Sequence, residues 1–252
     1  MRLASILLPG ILLSLAVPSS SLFGLDSILG GLFGGPKCDK LSQPDFFDIG
    51  SCLGDKKDLC KESNEDNLGA YVTELLICTA KGFSKLKFGS QLYLIQEMVK
   101  SFTGREGGNG TDIFTMLCNT ASKFAKGIDC NSLKADPSMT CGSAVDTKVP
   151  PDSNYSKCFT QDHLTCNRGD PVEVSVIMGT LKIPLCLLKY MHPSDVKEMI
   201  KQLIKEGFKN ISCAILQILE KILERVNIPM AGLAKIAINA RIRSQCKSTL
   251  FG

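Results

Sequence analysis

The chain has 252 residues, of which 44% are hydrophobic and 21% charged, with a formal net charge of +4. Such a length suffices for one large or two small domains around a real hydrophobic core. The small basic excess lacks the dense patch and interleaved aromatic residues of a nucleic-acid binder, so no nucleic-acid partner is expected.

The N-terminus, "MRLASILLPGILLSLAVPSSS", has one early cation, Arg2, an apolar run from Ile6 to Val17 and then small residues. This is the pattern of a secretory signal over residues 1–20, with cleavage expected near Ser19 to Ser21. The run falls short of the roughly 20 residues that a spanning helix needs, and no later segment is long, apolar and uncharged enough to span. The mature protein is therefore expected to be secreted and extracellular. Residues 21–37, "SLFGLDSILGGLFGGPK", form a Gly-rich apolar arm. Leu22, Leu25, Leu29 and Leu32 step by three or four, but closely spaced glycines and Pro36 oppose a stable helix. The segment reads as a flexible arm, a propeptide or a membrane-seeking piece, with membrane contact through residues 22–35.

Twelve cysteines follow the leader: Cys38, Cys52, Cys60, Cys78, Cys118, Cys130, Cys141, Cys158, Cys166, Cys186, Cys213 and Cys246. An even number in an exported chain reads as six disulfides. A metal site would want C-x-x-C pairs or nearby histidines; the chain has no such pair and two histidines, so no metal is expected. Two sets of six share their first intervals, 14, 8 and 18 residues against 17, 8 and 20, and then diverge, 40 and 12 against 27 and 33. This spacing suggests a diverged tandem repeat, with subdomains over 38–135 and 136–252. Six cysteines allow 15 connectivities within a half, and spacing alone does not choose. Pairing within each half, with equivalent cysteines using equivalent partners, is the expectation.

Between the cysteines the apolar period is helical. In "SNEDNLGAYVTELLICTAKGF", Ser63 and Asp66 have capping-box spacing and Leu68, Tyr71, Val72, Leu75 and Leu76 supply one face. "SQLYLIQEMVKSF" places Leu92, Ile95, Met98, Val99 and Phe102 on one side. Thr111 reads as the N-cap of a helix finishing at Gly127, in the position favoured for a left-handed cap. "DPVEVSVIMGTLKIPLCLLKYM" is ambiguous: Asp170, Pro171 and Glu173 announce a helix, "VEVSVI" alternates like a strand, and Pro184 would bend a helix. "HPSDVKEMIKQLIKEGFKN" puts Val196, Met199, Ile200, Leu203 and Ile204 on one stripe, with Pro193 in the first turn. The segments from Ile211 to Val226 and from Ala231 to Cys246 complete six or seven helices. With no strand expected, the class is all-α, a disulfide-rich helical bundle.

Asn109, Asn154 and Asn210 each open an N-x-S/T sequon and are candidate glycosylation sites. His163, within the "CFTQDHLTC" segment, follows Asp162. The His-Asp pair of secreted phospholipases has the Asp after the histidine, a preceding cysteine pair and a Gly-rich calcium loop, all missing here. His192 reads as a helix-start residue. No G-x-S-x-G, H-E-x-x-H or Cys-His nucleophile pattern occurs, so no enzyme, catalytic residue or cofactor is expected. Residues 141–252 carry 15 cations and 10 anions against 13 and 15 over 22–140, which makes the second half the basic one. Two function classes follow. One is a non-enzymatic binding protein enclosing a hydrophobic small molecule between its helices, notably along Ile211 to Val226. The alternative is an extracellular protein-interaction module, toxin-like, pheromone-like or structural, with a filled core.

Overall fold

The computed structural model describes residues 38–61, 64–103, 109–122, 127–159, 166–225 and 231–246. The leader, the 21–37 arm, Ser63, His163 and Val226 lie outside the described residues, as do the side chains of Asp66, Phe102, Asn109 and Thr111.

Among the described residues the expectation of no strand is corrected by a two-stranded antiparallel ribbon, β1 (Asp39–Gln43) with β2 (Val145–Val149). The segment VDTKV buries Val145, Thr147 and Val149 and turns Asp146 and Lys148 outward, the period of two that a half-buried strand requires. Lys40 stands opposite Lys148 in the register, a like-charge pairing that would repel. Each lysine instead reaches a carboxylate: Lys40 lies 2.7 Å from Asp146 and Lys148 lies 3.4 Å from Asp58. Leu41 and Thr147 face each other at the centre of the ladder, and each stands eleven residues before the second cysteine of its half, Cys52 and Cys158. The ribbon is thus symmetric with respect to the two halves.

Eight α-helices are present among the described residues. They are α1 (Ile49–Leu53), α2 (Asn64–Lys85), α3 (Phe88–Thr103), α4 (Asn109–Ser122), α5 (Val174–Leu187), α6 (Pro193–Gln202), α7 (Cys213–Arg225) and α8 (Ala231–Gln245). The ambiguous segment after Asp170 is helical through Pro184, with Glu173 in extended conformation at its N-cap. Thr111 lies inside α4 rather than before it, because the helix opens at Asn109. Gly127 has φ of +85°, a left-handed conformation that a glycine adopts without penalty. His192 caps α6: its Nδ1 accepts from the Ser194 amide, and Pro193 follows in the first turn, where a missing N–H costs nothing. A single π-turn, Leu203–Gly207, continues α6.

The six disulfides are Cys38–Cys60, Cys52–Cys78, Cys118–Cys130, Cys141–Cys166, Cys158–Cys186 and Cys213–Cys246. In each half the first cysteine joins the third, the second the fourth and the fifth the sixth. Six crosslinks, typically about 2–4 kcal/mol each, are typical of stabilised extracellular proteins. No helix among the described residues is long and apolar enough to cross a membrane.

Residues 38–252 form one compact unit, and both halves contribute to both of its cores. The first core joins Phe46, Ile49, Leu59, Tyr71 and Leu75 to Val149, Val176, Ile183 and Met199. The second joins Leu92, Ile95, Phe114 and Leu117 to Ile215, Ile218, Ile222 and Ile238. The early part of one half therefore packs on the early part of the other, and late on late. Phe83 packs against both cores.

Candidate functional site

Helical spacing sets several apolar stripes facing one another at the seam between the two cores. On α2, Leu76, Thr79, Ala80 and Phe83 repeat at three- and four-residue steps and share a face. On α5 and the 3-10 turn after it, Val174, Ile177, Leu181, Leu185 and Leu188 do the same. Leu94 and Met98 of α3 lie one turn apart, and Leu233, Ala234 and Ala237 come from α8. The π-turn adds a fifth wall. Its wider winding brings residues five apart into line, and the Phe208 amide donates to the Leu203 carbonyl at 3.0 Å, so both side chains reach the same space.

These stripes line a half-open hollow of about 280 Å³. Phe47, Leu76, Phe83, Leu181, Leu188, Ile200 and Phe208 are only half-buried because they border it. The one side-chain polar group in the lining, the Thr79 hydroxyl, is satisfied by donating to the Leu75 carbonyl at 2.8 Å. A water needs two to four polar partners to settle, so this space has nothing to hold one. Apolar walls left in contact with water forgo about 25 cal/mol per Å² of burial. An apolar molecule entering the hollow would recover part of that.

Phe47 forms one end of the hollow in an unusual way. It and Asp48 both have left-handed backbone, φ 57° and 58°, which bulky residues rarely adopt. Gly82 of α2 makes that placement feasible: a Cβ there would lie 2.1 Å from the Phe47 Cβ. Behind Phe47, Phe46 is buried and meets it edge-on at 5.1 Å.

The residues singled out from sequence fall elsewhere. Asn154 and Asn210 are exposed in turns, and Asn109 opens α4. Along Ile211 to Val226, the segment expected to wall a ligand, Ile215, Leu216, Ile218 and Ile222 are in the second core, while Ile211 and Leu219 reach the hollow. The sulfurs of Cys52 and Cys78 and the Glu74 carboxylate lie within 4.8 Å of one another. The two sulfurs are bonded to each other, so neither is a thiolate, and Glu74 pairs with Lys56. A second buried cluster is structural: the Gln43 side-chain amide donates to the Tyr71 hydroxyl at 3.0 Å, tying β1 to α2, and burial pushes the Tyr71 phenol above its ordinary pKa. Phe47 and the α5 stripe were not singled out, and only the alternation ambiguity around Val174 hinted at the latter. Comparison with protein-family models, curated proteins and solved structures gives no match.

Proposed function

We propose that the protein is a secreted, glycosylated, non-enzymatic carrier, built from a duplicated six-cysteine unit, that holds a hydrophobic small molecule at the seam between its cores. The observation that carries this reading is the apolar hollow of about 280 Å³, near the lower end of the ~300–1,000 Å³ typical of ligand pockets. An extracellular protein whose task was contact alone would gain stability by filling it. Secretion is supported by the leader and by the six disulfides, and Asn154 and Asn210 are exposed as glycan acceptors must be. The test is uptake of a fluorescent fatty acid by delipidated protein, compared with A234F, which places a ring in the hollow from α8. Saturable uptake that A234F removes while helicity is unchanged supports the carrier. No uptake by the wild-type protein refutes it and leaves the interaction-module reading.

A further inference from the structure

We infer that the carried molecule is a single-chain amphiphile with an anionic head, its chain in the apolar hollow and its head in the polar cleft on the other side of Phe47. This rests on the carrier reading. The cleft, about 420 Å³, is lined by Lys81, Lys85 and Lys209 together with Asp48 and Glu206. Phe47 borders both spaces, so a molecule that passes this ring exchanges an apolar surrounding for a charged one.

The charges favour an anion. Three cations face two carboxylates, and none of the three lysines takes part in an ion pair among the described residues. Lys81 and Lys85 stand one turn apart on α2, beside the Leu76–Phe83 stripe, so one helix offers an apolar wall and a cationic rim. A fourth cation is tied to the cleft through Lys209: Arg241 of α8 is buried, 6% exposed, without an ion-pair partner among the described residues, and its Nη2 donates to the Lys209 carbonyl at 3.2 Å. A buried cation lacking a counter-charge is costly, and a nearby anionic head reduces that cost.

The test uses the full mature protein. Oleate, oleyl alcohol and a lysophosphatidic acid share one chain length and differ in head group; each is titrated by displacement of the fluorescent fatty acid. N210Q protein is measured in parallel, because Asn210 borders the cleft and a sugar there would cover it. Both anions are expected to bind about tenfold tighter than the alcohol at low ionic strength, with the gap closing as salt shortens the screening length. The carboxylate-to-phosphate ratio tells which anion the cleft prefers, and either order supports the inference. K81Q/K85Q/K209Q is expected to weaken the anions at least fivefold and to leave the alcohol within twofold, which also reports that the variant is folded. If it does not fold, the salt dependence of the wild-type protein decides. Equal binding of alcohol and anions without salt dependence overturns the anionic head and leaves the carrier standing. Binding of none of the three overturns both.

Discussion

The contact between Gly82 and Phe47 gives a prediction whose sign is opposite to the ordinary one. Replacing a glycine inside a helix by alanine removes backbone freedom from the unfolded chain and gains about 0.5–1 kcal/mol. At Gly82 the new methyl would sit 2.1 Å from Cβ and 2.3 Å from Cγ of Phe47. These atoms are the stiff root of the side chain, not its movable end. They are carried on a left-handed residue whose neighbour Phe46 is 1% exposed and packed edge-on against it. The backbone from Phe46 to α1 must shift, and overpacking of this kind costs about 1–3 kcal/mol. After the helix gain, G82A is expected to lose about 1–2 kcal/mol, or roughly 3–6 °C in Tm for a domain of this size. Urea and thermal denaturation with disulfides intact measure it. Gly89, in the first turn of α3 with nothing within 4 Å of its added Cβ, is the control: G89A should be neutral or gain up to about 1 kcal/mol. G82A as stable as G89A would refute the packing argument. A displaced Phe47 also disturbs the end of the hollow, so G82A should weaken fatty-acid uptake while G89A leaves it unchanged.

Three further outcomes are expected. Removing the Cys213–Cys246 link frees a loop of 33 residues and should cost about 3.7 kcal/mol, against about 2.8 for the 12-residue Cys118–Cys130 link, measured as ΔG of unfolding for the paired serine variants. Y71F leaves the buried Gln43 amide without its acceptor and should cost about 1–3 kcal/mol. Because the folded phenol titrates above its ordinary 10.0, wild-type stability should fall as pH rises past that value through the folded pKa, and Y71F should flatten that limb. At the acid end, hydrogen bonds from Lys40 and Ser42 hold the Asp146 carboxyl below its ordinary pKa of 3.8. The contribution is present above that pH and lost as pH falls through the folded pKa, so D146N should make the acid limb shallower, less so in high salt.

Helices with a dry face and a wet face were legible in the chain. Segments α2, α3, α6 and α7 carry stripes at three- and four-residue steps, and His192-Pro193 marks a start for local chemical reasons. Helix α5 was ambiguous because Val176 to Thr180 are buried in succession, so this run shows no alternation between a dry and a wet face. The ribbon was hidden for a different reason. Asp39–Gln43 has no apolar alternation, and its partner lies about a hundred residues away, so pairing is decided by tertiary structure. The hollow was invisible in principle. Each stripe that lines it reads as core, and a shortage of volume between stripes belongs to no single residue. The left-handed Phe47 is equally silent, since the condition that permits it is a missing Cβ on α2.

The symmetry of the ribbon and of the disulfides bears on where the hollow arises. On the duplication reading, both halves supply a strand, a second cysteine eleven residues beyond its centre, and a long helix that carries the fourth cysteine, Cys78 or Cys186. They differ most after that. The interval between fifth and sixth cysteines is 12 residues in the first half and 33 in the second, and the extra length contains α8. That helix supplies Leu233, Ala234 and Ala237 to the lining and the buried Arg241 that bonds the Lys209 carbonyl. The π-turn that carries Leu203 and Phe208 also belongs to the second half alone among the described residues. Paired equal units would bury matching faces against each other; α8 and the π-turn add unequal walls to the seam, while the cationic rim is set on α2 by Lys81 and Lys85.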